Sequence, residues 1–209
     1  MKICLSCEGV TDTQAHRCGY CDAPLLSTGS VHYPARRGEQ DAGNPLLGTI
    51  IDGKYRLQSV LGRGGLGTVF RAQHVGSLVT IALKLLHPRF SEKPEYSRSL
   101  LPEARRAATV VHESCARLLD VGEGDDGVTY LAMELVEGQT LDEVLQQGAL
   151  SPSHVVDLLL QVTAALSAVH GVGLVHCDLS PRNVMVCSRS GRLEAKVLDF
   201  GIARSMSLA

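Results

Sequence analysis

Three sets of residues carry types and spacings that could do chemistry. Cys4-x-x-Cys7 and Cys18-x-x-Cys21 form two knuckles separated by ten residues, a pattern that lets four thiolates close a tetrahedral zinc site. Two disulfides or a thioredoxin-like redox pair are the alternatives; two CxxC units without a βαβ context favour structural zinc. Leu61-Gly62-Arg63-Gly64-Gly65-Leu66-Gly67-Thr68-Val69 contains G-x-G-x-x-G-x-V, in which the glycines let the backbone fold closely over phosphates. A dinucleotide fingerprint would need a helix after the last glycine, whereas strand-like TVFRAQ follows here. Ile81-Ala82-Leu83-Lys84 then places one lysine in an apolar strand. Burying that ammonium unpaired is costly, so it needs an anion, and Glu103 is its expected partner. Farther on, His176-Cys177-Asp178 runs to Asn183, and Asp199-Phe200-Gly201 follows. A carboxylate, an amide and a second carboxylate in loops are the groups phosphoryl transfer requires, one to receive a hydroxyl proton and two to hold Mg²⁺.

The elements that must position these groups read as follows. Residues 1–26 are a Cys-rich unit too short to bury its own core, so metal would supply most of its folding free energy. Residues 27–48, rich in Gly, Pro, Ser and charge, read as a flexible linker. Short β-type runs are expected at 55–61, 67–73, 78–86, 118–121 and 128–135, an antiparallel sheet interrupted by a helix over 96–111. After Gly138 the pattern turns helical. Thr140 with Glu143 is a capping box for a short helix closed by Gly148, and Ser151-Pro152 supplies an N-cap and N1 proline for a long apolar helix ending near His170-Gly171.

The whole chain sets outer bounds. Its 209 residues allow one medium domain and a small module. With 44% hydrophobic and 20% charged residues, the composition is that of a soluble globular chain. A formal charge of −2 provides no global basic field, which argues against nucleic acid as the main partner. MKICLSCEGV lacks a secretory apolar core, and no uninterrupted apolar run has spanning length. Cytoplasmic placement is therefore expected, in keeping with an odd cysteine total of seven.

The joint occurrence of the glycine loop, the IALK lysine, the helix glutamate, HxDxxxxN and DFG, in that order, resembles a protein kinase. GKYRLQSVLGRGGLGTVFRA, YLAMELVEGQTL and KVLDFGIAR are similar to the bacterial, eukaryotic-like Ser/Thr kinases. The resemblance covers residues 50 to about 204 and implies an α+β, bilobal kinase-like fold preceded by a zinc ribbon. Residues 49–137 would be the N-lobe and hinge, and 138–209 a partial C-lobe through DFG. It also implies that Asp178 is the catalytic base, that Asn183 and Asp199 are Mg²⁺ (or Mn²⁺) ligands, and that Lys84 and Glu103 form the phosphate-positioning ion pair. ATP would be covered by residues 61–69. Met133 would be the gatekeeper, Glu134 and Val136 would offer hinge backbone groups to adenine, and Leu61, Val69, Ala82 and Met185 would enclose its faces. Protein substrates and a protein partner of the ribbon are the implied partners.

Several positions depart from that family's pattern. Cys177 stands where the family's catalytic loop usually has arginine, so activation through a phosphorylated loop is not expected. Ser180 replaces the usual lysine two residues after the catalytic aspartate, while Arg182, four residues after it as in tyrosine kinases, is the expected γ-phosphate cation. Pro102 removes a helical N–H beside Glu103. The sequence ends eight residues after Gly201, before an activation segment and APE motif, so the expectation for residues 1–209 is a truncated C-lobe that binds nucleotide without appreciable transfer. The competing reading is a non-catalytic, nucleotide-binding scaffold with a zinc-ribbon interaction module. A nucleic-acid-binding ribbon ranks below both, since residues 1–26 hold only Lys2 and Arg17 as fixed cations.

Overall fold

The computed structural model describes residues 2–3, 10–11, 17–19, 21, 44–87, 94–124, 127–189 and 191–199. At the N-terminus β1 (Lys2–Ile3) pairs antiparallel with β2 (Val10–Thr11), Ile3 opposite Val10. Cys4 and Cys7 lie outside the described residues; Cys18 is buried and Cys21 exposed. Among the described residues no three His, Cys, Asp or Glu side chains gather as a metal site, so the zinc ribbon rests on cysteine spacing alone.

The expected linker is too long at its C-terminal end. Residues 44–48 form a turn in which Leu47 N–H donates to Asn44 O at 3.2 Å and Gly48 N–H to Leu57 O at 2.8 Å. Leu47 also packs on a buried cluster, so apolar contact and backbone pairing tie this stretch to the sheet.

That sheet comprises β3 (Ile50–Ile51), β4 (Tyr55–Arg63), β5 (Gly67–His74), β6 (Thr80–Leu86), β7 (Leu118–Glu123) and β8 (Thr129–Glu134). Its order is β3-β4-β5-β6-β8-β7, antiparallel throughout. Strand alternation gives it two faces. Ile81, Leu83 and Leu85 join Tyr55, Leu57, Phe70, Tyr130 and Ala132 in an outer core. Ala82 and Leu86 join Val69, Met133 and the rest of the molecule in the inner one. Gly67 has a specific steric role: a Cβ there would run into the Leu85 carbonyl on the neighbouring strand.

Helix α1 (Pro94–Ala107) buries Leu100, Ala104 and Ala107 in the inner core. It stops four residues before the expected end at 111, because Thr109 and Val110 turn back onto Arg106 and Ala107 carbonyls at 3.0 and 3.1 Å. A second, three-stranded sheet follows, built from β9 (Gln139–Thr140), β10 (Val184–Arg189) and β11 (Arg192–Val197) in the order β11-β10-β9. Between its strands lie α2 (Leu141–Gln147), α3 (Pro152–Gly171) and a 3-10 turn over Pro181–Asn183. The capping box is formed: Glu143 N–H donates to Thr140 Oγ1 and Thr140 N–H to Glu143 Oε2, at 3.2 and 3.1 Å.

Helix α3 buries Leu158, Val162, Ala165 and Val169. Its Gln161 crosses to the β11 edge, where Nε2–H donates to Leu193 O at 3.0 Å and Oε1 accepts from Ala195 N–H at 2.8 Å. Val155, Val156, Leu159 and Leu160 on the other face are exposed. By length and composition alone α3 could cross a membrane, although no continuous apolar run of that length was expected; its polar link to β11 ties it to the sheet.

Candidate active site

The inner face of the large sheet assembles the lysine site. Val69 is the register partner of Lys84, and Ala82 that of Met133. Cross-strand partners share a face, as do residues two apart along one strand, so Val69, Ala82, Lys84 and Met133 all point inward. Val69, Ala82, Met133, Val136 and Met185 belong to one buried cluster, against which Leu61 packs. The apolar walls expected around an adenine are thus brought together. Above them, the loop between β4 and β5 is fastened by Gly64 N–H donating to Gly67 O at 2.9 Å, by His87 N–H donating to Leu66 O at 3.0 Å and by a 3.2 Å bond between His87 Nε2 and Gly64 O. The His87 contacts were not foreseen.

Lys84 is 7% exposed, and its partner differs from the expected one. The ammonium lies 2.7 Å from Asp199 Oδ2. Glu103 instead sits 4.0 Å from Arg106 on its own helix, and its Oε2 is buried without a hydrogen bond. The expected Lys84–Glu103 ion pair is therefore not formed. Asp199, expected as a metal ligand and held in a left-handed backbone conformation with φ 54°, has turned its oxygen onto the lysine. Pro102 lies inside α1 directly before Glu103.

The loop carboxylate and amide are organised by backbone bonds. Asn183 Nδ2 donates to Asp178 O at 2.7 Å and to Asp178 Oδ2 at 3.1 Å. Leu198 N–H donates to Asn183 O at 2.9 Å, linking this loop to the residue before Asp199. His176, 2% exposed, completes the frame: Asp178 N–H donates to its Nδ1 at 3.3 Å, so Nε2 carries the proton given to Leu198 O at 2.8 Å. Cys177 between them is exposed and adopts φ 63°, a left-handed conformation uncommon outside glycine. Arg182 is exposed on the 3-10 turn, and Phe200 and Gly201 lie outside the described residues.

A segment not foreseen as part of the site is the junction between the sheets. Cys115 bridges Val197 in parallel, with Ala116 N–H on Val197 O at 2.9 Å and Val197 N–H on Ser114 O at 2.8 Å. Lys196 Nζ reaches Glu134 Oε1 at 2.8 Å. Burial pushes the thiols of Cys115 and Cys187 up to about 11, which makes them protonated packing groups at neutral pH rather than nucleophiles.

A curled antiparallel sheet that holds a buried lysine against a loop aspartate, beside a second carboxylate fixed by an asparagine, is the architecture of a protein kinase. The protein kinase domain family matches residues 55–209, and the chain belongs to it. Serine/threonine-protein kinase PknA of Mycobacterium tuberculosis is 37% identical over 171 residues, which cover 79% of this chain and 39% of that protein. Serine/threonine-protein kinase pkn3 of Myxococcus xanthus is 39% identical over 161 residues, 76% of this chain and 29% of that one. The chain thus spans less than two fifths of these curated relatives. The crystal structure of the Mycobacterium tuberculosis PknI kinase domain superposes with a TM-score of 0.64 at 31% identity, covering 74% of this chain and 62% of that one.

Proposed function

We propose that this chain supplies the nucleotide-binding and catalytic-loop portion of a protein serine/threonine kinase, which transfers the ATP γ-phosphate to a protein hydroxyl. The observation that carries the reading is the convergence of Lys84, Asp199, Asn183 and Asp178 through contiguous bonds. Lys84 is the cation for the phosphates, and the apolar walls from Leu61 to Met185 hold the base. Asp178 receives the hydroxyl proton, with Asn183 fixing its carboxylate. Arg182 is the candidate cation for the γ-phosphate.

Mg²⁺ fits the site: Asp199 Oδ1 is buried with no hydrogen-bond partner, an oxygen suited to a hard cation. Asp199 and Asn183 would hold the ion, which when bound neutralises phosphate charge. Calorimetry with ATP, with and without Mg²⁺, tests the reading on residues 1–209. Binding that needs Mg²⁺ and weakens in Asp199→Asn and Lys84→Met is the expected result; equal affinity in all three proteins would sink it.

A non-catalytic nucleotide-binding scaffold is the second reading, favoured by the absence of the Lys84–Glu103 pair. In a form extended through a complete C-lobe, phosphotransfer that is lost in Asp178→Asn separates the two. In either case the two CxxC knuckles support a structural zinc module that docks a protein partner. Its test is metal content of the purified protein, with one zinc per chain expected and none fatal to the idea.

A further inference from the structure

Glu134 ends β8 at the point where the chain leaves the large sheet, and it is fastened on three sides. Its backbone N–H donates to Arg117 O at 2.8 Å, and its Oε2 accepts from Arg117 N–H at 3.2 Å. Lys196 Nζ lies 2.8 Å from its Oε1 and 3.0 Å from its Oε2. The lysine side chain is 14% exposed and the glutamate 35%, so the ammonium is largely enclosed and the carboxylate partly so, with an extra hydrogen bond to the carboxylate.

Its location gives it a consequence. Lys196 is the β11 register partner of Met185, so the two side chains share a face, and Met185 is fully buried in the cluster that walls the nucleotide region. Three residues after Lys196 comes Asp199, while the residue before Glu134 is Met133 of the same cluster. The ion pair therefore spans the two sheets at the segment expected to present backbone groups to the base, and binds it to the strand that delivers the phosphate-side carboxylate.

We propose that Lys196 is a positioning residue for nucleotide: acting through Glu134, it fixes the 134–136 backbone at the distance from the second sheet that the adenine requires. This rests on the nucleotide-binding reading above. Removing the lysine takes away the ammonium that draws the Glu134 carboxylate, about a third exposed, toward the second sheet, and the side chain can then turn outward. The backbone that carries it shifts as well, and with it the base contacts. The phosphate end, held by Lys84 and Asp199, stays where it is.

The test separates the two ends of the ligand. Calorimetry on residues 1–209 measures adenosine, Mg²⁺-ATP and Mg²⁺-tripolyphosphate against wild type, Lys196→Met and Lys196→Arg. Losing one net hydrogen bond corresponds to about a threefold to tenfold change in affinity. Lys196→Met is expected to lose that factor for adenosine and ATP alike and to keep tripolyphosphate affinity, with Lys196→Arg restoring adenosine binding. Unchanged adenosine affinity in Lys196→Met overturns the proposal, as does an equal loss for tripolyphosphate, which a general weakening of the fold would produce. Should Lys196→Met not fold, Lys196→Gln carries the same comparison. A wild-type chain that binds neither adenosine nor ATP overturns the nucleotide reading itself, a result visible before any variant is made.

Discussion

Lys84 Nζ lies 2.7 Å from Asp199 Oδ2, joining β6, the fourth strand of the large sheet, to the loop after β11. The lysine side chain is 8% exposed and the aspartate 24%, so the two ends of this bond are unequally placed. The aspartate side chain is the more accessible of the two.

Asp199→Asn should therefore destabilise the nucleotide-free protein more than Lys84→Met does. The first leaves a buried ammonium without its anion, a change that typically costs about 3–5 kcal/mol, whereas the second leaves a carboxylate on the more exposed of the two side chains. Thermal melts of the two variants beside wild type check this, and equal melting shifts would contradict the asymmetry.

Gly67→Ala should lower stability by about 1–3 kcal/mol, the usual range for overpacking a close contact. The added methyl meets the Leu85 carbonyl rather than a movable side chain, so the β5–β6 pairing must open locally. Denaturant unfolding measures the loss. An alanine variant as stable as wild type would show that the hairpin relaxes without cost.

His176→Ala should weaken the link between the catalytic loop and Leu198. The imidazole is 2% exposed and accepts and donates one bond each, so its removal strands the Leu198 carbonyl and costs about 1–3 kcal/mol. Hydrogen exchange should report faster opening around residues 176–183 and 197–199. Unchanged exchange there would mean the histidine merely fills space.

Thiol reactivity should divide the described cysteines of the kinase portion. Cys177 is exposed and should be labelled at pH 8, while Cys115 and Cys187 should react on unfolding. Burial raises both from an ordinary value of 9.0 to about 11, with the nearby Glu194 adding to the effect at Cys187. The unfolded chain therefore releases these protons first as pH rises, so their contribution favours unfolding progressively between about 9 and 11. Below that window both states hold the proton and the contribution is constant. Tyr55 and Tyr130, also raised by burial, make stability fall there too, so the expected outcome is a shallower fall across the window in a Cys187→Ala, Cys115→Ala protein than in wild type.

Much of the site was legible because its chemistry requires particular residue types in sequence. The glycine loop, Lys84, Asp178, Asn183 and Asp199 announce themselves by spacing, and Thr140 with Glu143 and Ser151 with Pro152 located two helix starts. Proximity was the harder matter. The sequence offers Glu103 as the anion for Lys84 and Asp199 only as a metal ligand; which carboxylate reaches the lysine depends on backbone angles at residue 199 and the path of α1. Strands β10 and β11 were not foreseen, since a catalytic loop and a DFG motif drew the reading of residues 176–201. Lys196 went unmarked for the same reason: its partner lies 62 residues away, and a single lysine in a strand carries no local signal of a distant glutamate. The linker boundary was misplaced because Leu46 and Leu47 follow a polar stretch whose composition masked them.

Gln161 has a consequence for how the small sheet ends. Its side-chain amide offers one donor and one acceptor to the outermost strand, as a neighbouring peptide group would, so a helix here impersonates the next strand. Sheet edges are where foreign chains add themselves. A borrowed amide at the middle of β11 occupies the backbone positions such an intruder would need, and the protein thereby guards its own border without spending a strand on it.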